Sequence, residues 1–200
     1  MKLNVSWVEI PSEVIPHTNR DSDGDLDVIA VGVAEAFERE GVSEVVEIDP
    51  GKVVMAGILT SRMVEDPFLY LDSKRWGGKY FSGDVSASLA EVMAFALLEA
   101  KFGVKLTEVL PMRHVKYLGF TPDGVVDAKL YPKLISFLGG KGALYINTRG
   151  TMRWSPSWII RNLRRDLIQV EKVRYPDAYA MLMYLVRERG WRMMVGVVKP

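Results

Sequence analysis

The sequence predicts a mixed α/β protein in two parts, a small acidic α/β unit over residues 1–78 and a basic α/β domain over residues 79–200. Helix-like and strand-like segments alternate along the chain, and glycine and proline separate them. The charge also changes sign between the two parts. Residues 1–80 carry 8 basic and 15 acidic side chains, a net charge of −7, whereas residues 81–200 carry 18 basic and 10 acidic ones, a net charge of +8.

The composition is that of a folded protein, with 48% hydrophobic and 26% charged residues in a chain of 200. The chain has no cysteine, which excludes disulfides, thiolate metal sites and a cysteine nucleophile. No signal peptide follows Met1, and the apolar runs are too short to span a bilayer. We therefore expect a cytoplasmic protein.

The acidic unit is predicted to contain strands at 4–10, 43–48 and 52–60, an acidic turn at 21–27 and a helix at 28–40. The alternating aspartates of the turn are spaced as in a calcium loop, but the positions that need glycine and glutamate hold Leu26 and Gly32. The turn is therefore interpreted as a solvated segment before a helix. The β-branched run from Lys52 follows the turn signal Asp49-Pro50-Gly51, which predicts a hairpin strand.

The basic domain is predicted to contain helices at 86–102 and 156–170 and strands at 115–120, 124–130, 143–148 and 191–198. Residues 132–138 are ambiguous, and the apolar run 178–186 is compatible with a central strand or a helix. The order is therefore helix, three strands, helix and further strand. The charged and glycine-bearing loop at 74–79 marks the expected boundary with the acidic unit.

Three places in this order carry chemistry-bearing side chains. Glu91 lies in the first helix, Asp123 follows Pro122 before a strand, and Asn147 and Arg149 alternate in the strand Leu144-Tyr145-Ile146-Asn147-Thr148-Arg149. The layout resembles the PD-(D/E)XK nucleases over roughly residues 81–200. That resemblance implies a restriction-endonuclease-like αβββαβ core with Glu91, Asp123, Asn147 and Arg149 at the catalytic positions.

By the same resemblance, Glu91 and Asp123 would hold magnesium, which polarises a phosphodiester and activates the attacking water. The chain departs from the family at the other two positions. Asn147 replaces the second acid and is a weaker ligand, and Arg149 replaces the lysine and stays protonated. An arginine can still clamp a phosphate, so the departure affects cleavage more than binding. Asp127 and Lys129 form a displaced acid-spacer-lysine triplet, which is a minor variant.

A set of side chains around the second helix is predicted to bind nucleic acid: Arg153, Trp154, Arg161, Arg164, Arg165, Gln169 and Lys172. Trp158, Arg161 and Arg165 share one helix face, and arginine beside exposed aromatic rings suits contacts to bases and phosphates. Gln169 and Lys172 enter through the family resemblance. The alternative interpretation is that Trp158 anchors the core and the arginines form a solvated face.

The leading hypothesis is thus a DNA-acting, metal-dependent nuclease or a catalytically weakened relative. One alternative is a non-catalytic nucleic-acid-binding protein on the same fold. Another is a protein-interaction module in which acidic and basic parts build a homo-oligomer. A second resemblance, to methionine adenosyltransferases, rests on Val54–Ser61, Thr121–Gly124, Ile146–Thr148 and Arg164–Ile168, although the ATP-handling segments of that family are missing.

Overall fold

A computed structural model describes residues 1–15, 23–60, 79–111, 122–151, 153–172, 178–187 and 190–199. Within these residues the chain is a mixed α/β protein, as predicted. The strands are β1 (Lys2–Pro11), β2 (Glu44–Glu47), β3 (Leu110–Pro111), β4 (Gly124–Asp127), β5 (Ala143–Thr151), β6 (Ala178–Arg187) and β7 (Trp191–Lys199). The α-helices are α1 (Asp23–Glu40), α2 (Pro50–Thr60), α3 (Lys79–Phe102), α4 (Pro132–Leu138) and α5 (Pro156–Lys172).

All the described strands form one sheet in the order β2-β1-β7-β6-β5-β4-β3. The pairs β1/β7 and β5/β6 are parallel, and the other neighbours are antiparallel. β1 pairs with β7 from Asn4↔Arg192 to Pro11↔Lys199, so strands from the predicted acidic unit extend the sheet of the basic domain. The loop predicted as the boundary lies outside the described residues, except for Lys79.

Helices cover both faces of the sheet, and each face has its own apolar core. α3 and α4 pack on one face, over side chains such as Leu144, Ile146 and Met183. α2 packs against α3 in the same layer. α1 and α5 pack on the other face, over Leu182 and Tyr184 among others. The alternation of side chains along each strand therefore decides which helix layer a residue meets.

β6 resolves the ambiguity of the apolar run at 178–186. It lies between β5 and β7, and its residues from Tyr179 to Val186 are buried. Because helices cover both faces of the sheet, both sets of side chains face apolar surroundings, and the strand shows no polar alternation. A sequence with that pattern is compatible with a buried helix as well, which is why periodicity alone did not decide.

The predicted strand at 52–60 is wrong, because the segment forms helix α2. Pro50 occupies the first helical position, where its missing N–H costs no hydrogen bond. The Asp49 carboxylate accepts a hydrogen bond from the N–H of Gly51 at 2.8 Å and so caps the helix start. Packing of α2 on α3 then outweighs the β propensity of Val53 and Val54.

Other boundaries also differ. α1 already begins at Asp23, so most of the predicted acidic turn is helical, and residues 132–138 form α4, which ends at Gly139 with φ +85°. β4 ends at Asp127, whose carboxylate accepts a hydrogen bond from the N–H of Lys129 at 2.9 Å and starts a 3-10 turn. Asp127 and Lys129 therefore do not lie on one strand, although the displaced acid-spacer-lysine variant needs both on a strand.

The predicted strand at 115–120 lies outside the described residues. From α3 to β6, the described elements run α3, β3, β4, α4, β5, α5 and β6, so α4 interrupts the three consecutive strands that the αβββαβ order predicts. None of the described helices is both long and apolar enough to cross a membrane.

Candidate functional site

A buried polar cluster joins β5 and β6 to α5. Asp166 of α5 is completely buried and accepts three hydrogen bonds. Its Oδ1 atom accepts from Asn147 Nδ2 at 2.9 Å and from Arg149 Nη2 at 2.8 Å, and its Oδ2 atom accepts from the Tyr184 hydroxyl at 2.8 Å. Asn147 Nδ2 also donates to Gln169 Oε1 at 3.1 Å. The side chains of Asn147 and Arg149 therefore face the α1 and α5 layer.

Asp166 and Arg149 form a buried ion pair, and the neutral hydroxyl of Tyr184 donates a hydrogen bond to Asp166. Burial raises the pKa of Asp166, although the charge and hydrogen bond of Arg149 and the hydrogen bond of Tyr184 act against it. Burial lowers the pKa of Arg149, but the interactions with Asp166 outweigh burial and leave the pKa raised. Burial and the nearby carboxylate raise the pKa of Tyr184 well above its usual value. Arg149 therefore remains a cation and Tyr184 a hydrogen-bond donor.

Asp123 lies just before β4 and forms hydrogen bonds to Ile146 and Thr148 of β5. Its N–H donates to the carbonyl of Ile146 at 2.9 Å, and its Oδ2 atom accepts from the N–H of Thr148 at 2.6 Å and from the Thr148 hydroxyl at 2.8 Å. The register Gly124↔Ile146 continues to place Asp123 opposite Asn147. The charge of Asp123 also contributes to the raised pKa of Arg149. Three of the four predicted catalytic residues thus gather at one end of β4 and β5.

Glu91 approaches from the opposite helix layer. α3 crosses β5 closely at Gly150, where a Cβ atom would lie 2.0 Å from the Ser86 carbonyl oxygen and 3.0 Å from the Ala90 Cβ atom. Glu91 follows Ala90, and its side chain is buried at 7% exposure. The fold therefore brings Glu91 near the same end of β5, while Asn147 and Arg149 face the other side of the sheet. Their joint catalytic role stays a prediction.

The polar side chains around Asp123 leave few free ligands for the predicted magnesium. The described part of the chain contains no group of three or more His, Asp or Glu residues that could hold a metal ion. The Asp166 carboxylate is already matched by Arg149, and one oxygen of Asp123 is used by Thr148. The guanidinium of Arg149 also places positive charge beside Asp123, which disfavours a second cation. Magnesium binding by Glu91 and Asp123 stays a prediction, and no catalytic step is derived from it.

The outer side of α5 is basic. Arg161 and Arg165 are exposed one turn apart, and the exposed Arg153 lies just before the helix. Arg164 differs from them, because its Nε atom lies 2.7 Å from Asp27 Oδ1 of α1. Of the predicted nucleic-acid-binding arginines, three therefore face solvent and one links α5 to α1.

The side chains of Trp154, Trp158 and Gln169 make contacts inside the protein. Trp154 and Trp158 are half-buried against the core beneath α1 and α5. Trp158 meets Tyr184 edge to face, with ring centroids 6.3 Å apart, which agrees with a core anchor. Gln169 supports Asn147. The side chain of Lys172 lies outside the described residues.

Sequence reasoning missed Asp166, Tyr184 and Thr148. One signal for Asp166 was present, because it lies at helical spacing with the buried Ile159 and Leu163 and directly precedes Leu167. An acid on an apolar helix stripe needs a buried partner. Tyr184 lay within an unbroken apolar run, and Thr148 was only the spacer of the predicted motif, so neither carried a comparable signal.

The comparisons with known proteins supply no role for this cluster. No protein-family model matches the chain, and no curated protein or solved structure matches it either.

Proposed function

We propose that this protein binds nucleic acid through phosphate contacts on the outer side of α5, on a nuclease-like fold in which cleavage is weakened. The observation that carries the proposal is the exposure of Arg161 and Arg165 one turn apart, with Arg153 beside the start of the same helix. Guanidinium groups bind phosphate oxygens in two-pronged fashion, and neutralising the backbone releases counterions. DNA is the expected partner, because the resemblance to PD-(D/E)XK nucleases points to it.

The state of Asn147 and Arg149 supports binding over hydrolysis. Asn147 donates both to Asp166 and to Gln169, and Arg149 is paired with Asp166, so both side chains hold β5 to α5. A cleaving enzyme of this family needs an acid and a lysine here, whereas Arg149 stays protonated and cannot act as a general base. Arg149 keeps 23% of its side chain exposed and remains able to contact a phosphate.

The binding test measures fluorescence anisotropy of labelled single-stranded and duplex DNA between about 50 and 200 mM salt. The wild type is expected to bind, with an affinity that falls steeply as salt increases. Arg161→Glu with Arg165→Glu is expected to weaken binding by about tenfold or more, since two phosphate contacts become repulsive.

The matched control is Lys133→Glu with Lys141→Glu, which changes the net charge equally. Both lysines are exposed, Lys133 on α4 and Lys141 just before β5, away from the outer side of α5. The control is expected to bind like the wild type. Absence of binding at low salt, or an equal loss in both double variants, would contradict the proposal.

A separate assay tests the weakened cleavage. Wild type and Asp123→Ala are incubated with DNA and either magnesium or manganese, and the products are separated on denaturing gels. We expect no cleavage that depends on Asp123. Metal-dependent cutting that disappears in Asp123→Ala would show an active nuclease and replace the weakened-relative proposal.

A further inference from the structure

The outer stripe of α1 is acidic and partly apolar. Asp25, Val28, Val31, Glu35 and Glu38 follow one another at intervals of three or four residues, so they share one helix face. Val28 is 72% exposed and Val31 is 38% exposed. Two exposed valines between carboxylates, on the side of α1 opposite its buried stripe, form a small surface suited to a partner with apolar and positive groups.

The neighbouring helix carries the complementary charge. α1 and α5 pack side by side on one face of the sheet and share a core. The ion pair between Arg164 and Asp27 spans the groove between them. Beyond this groove, α5 exposes Arg161 and Arg165. A single layer of the protein therefore has an acidic half with exposed valines and a basic half.

We infer that this layer is a self-association surface that pairs with a second copy of the chain. A two-fold axis along the groove between α1 and α5 stacks α1 of one copy over α5 of the other, and α5 over α1. Each acidic stripe then meets a basic one, and the exposed Val28 and Val31 are covered on both copies. Pairing of α1 with α1 would instead oppose carboxylates, so the charges select the crossed arrangement.

The test is the mass of the protein in solution, measured by light scattering after size-exclusion chromatography at low salt over a range of concentrations. The wild type is expected to form a dimer that dissociates as salt increases. Glu35→Lys with Glu38→Lys makes both helices basic, and Arg161→Glu with Arg165→Glu makes both acidic. Each double variant alone is expected to lose the dimer.

Mixing the two double variants is the decisive step. Basic α1 of one chain then faces acidic α5 of the other, and basic α5 faces acidic α1, so a heterodimer is expected from two proteins that are monomeric alone. The control Lys133→Glu with Lys141→Glu, which changes charges elsewhere, is expected to dimerise like the wild type.

A wild type that is monomeric at every concentration, double variants that still dimerise alone, or a mixture that stays monomeric would each overturn the inference. The second copy covers the two α5 arginines that the proposed function assigns to phosphate, so the dimer and DNA compete for one surface. Glu35→Lys with Glu38→Lys leaves both arginines in place and separates the two tests. A monomeric protein that still binds DNA would therefore reject the dimer and leave the proposed function standing.

Discussion

The inner and outer sides of α5 use charge in opposite ways. On the inner side, Asp166 is fully buried and shares its two oxygens among Asn147, Arg149 and Tyr184. On the outer side, Arg161 and Arg165 are exposed to solvent one turn apart. The inner charges of Asp166 and Arg149 are therefore paired within the fold, whereas the outer arginines remain accessible to a partner. Exposure, and not residue type, therefore separates the charges that hold the fold together from those that a partner can reach.

The largest expected loss of stability comes from a substitution on the inner side of α5. Asp166→Ala leaves the mostly buried cation of Arg149 without its partner and removes the acceptor of the Tyr184 hydroxyl. Removing one member of a buried ion pair costs about 3–5 kcal/mol of unfolding free energy. Urea denaturation followed by circular dichroism measures the loss.

The neighbouring outer residue is the matched control for this change. Arg165→Ala is expected to alter the unfolding free energy by no more than about 0.5 kcal/mol, because its side chain is exposed. If the two variants lost similar stability, the distinction between inner and outer charge would be wrong.

Two glycines show the same difference between inside and outside, because Gly150 lies against α3 and Gly32 faces open space. Gly150→Ala would force a Cβ atom within 2.0 Å of the Ser86 carbonyl oxygen, so α3 or β5 must move. Overpacking of this kind costs about 1–3 kcal/mol. The measurement is again the urea midpoint, together with the unchanged slope that indicates two-state unfolding.

Gly32→Ala is the control on the outside of α1. A Cβ atom at Gly32 would have no atom within 4 Å, and the residue is helical and exposed. The substitution is expected to stabilise the protein by about 0.5–1 kcal/mol, because alanine favours the helix over glycine. A gain for Gly150→Ala would mean that α3 does not approach β5 as closely as the structure has it.

The same contrast explains what the sequence could predict. The presence of α1, α3 and α5 and of the strands β1, β5 and β7 was predicted because each carries a long periodic or apolar pattern between breaking residues, although α1 and α3 begin earlier than predicted. The run from Val53 gave the wrong result for α2, since a short β-branched segment does not contain its packing partner. The local cap at Asp49 and the surface of α3 decided its conformation, and the packing on α3 is a tertiary contact that the local sequence does not contain.

The site was predictable only in part, for a similar reason. Asn147 and Arg149 were singled out by the resemblance to the PD-(D/E)XK nucleases, and their two-residue spacing on β5 puts them on one strand face. Spacing does not tell which of the two faces that is. In the structure both side chains lie on the face beneath α5, where Asp166 accepts their hydrogen bonds. The residues next to Asn147 do not indicate this contact, because α5 begins only nine residues later. Pairings between distant elements therefore limited the functional prediction.

The last prediction extends the comparison to a second tyrosine and carboxylate, on the α3 side of the sheet. Tyr131 is buried at 6% exposure and donates a hydrogen bond to Glu108. Burial, followed by the hydrogen bond and charge of Glu108, raises the pKa of Tyr131 to about 12. Because the neutral phenol is favoured in the folded state, its contribution to stability is complete below about pH 10 and is lost as the pH rises towards about 12.

Ultraviolet absorbance of phenolate, compared between wild type and Tyr131→Phe, isolates this titration. Glu108→Gln removes the negative charge and is expected to lower the Tyr131 pKa while leaving the burial of the ring in place. At neutral pH the raised pKa itself adds no pH dependence, so this is the smallest of the three effects there. A titration midpoint of Tyr131 near pH 10 would mean that the ring is solvated. Tyr184 would then be left as the one of these two tyrosines that holds a carboxylate in a buried site.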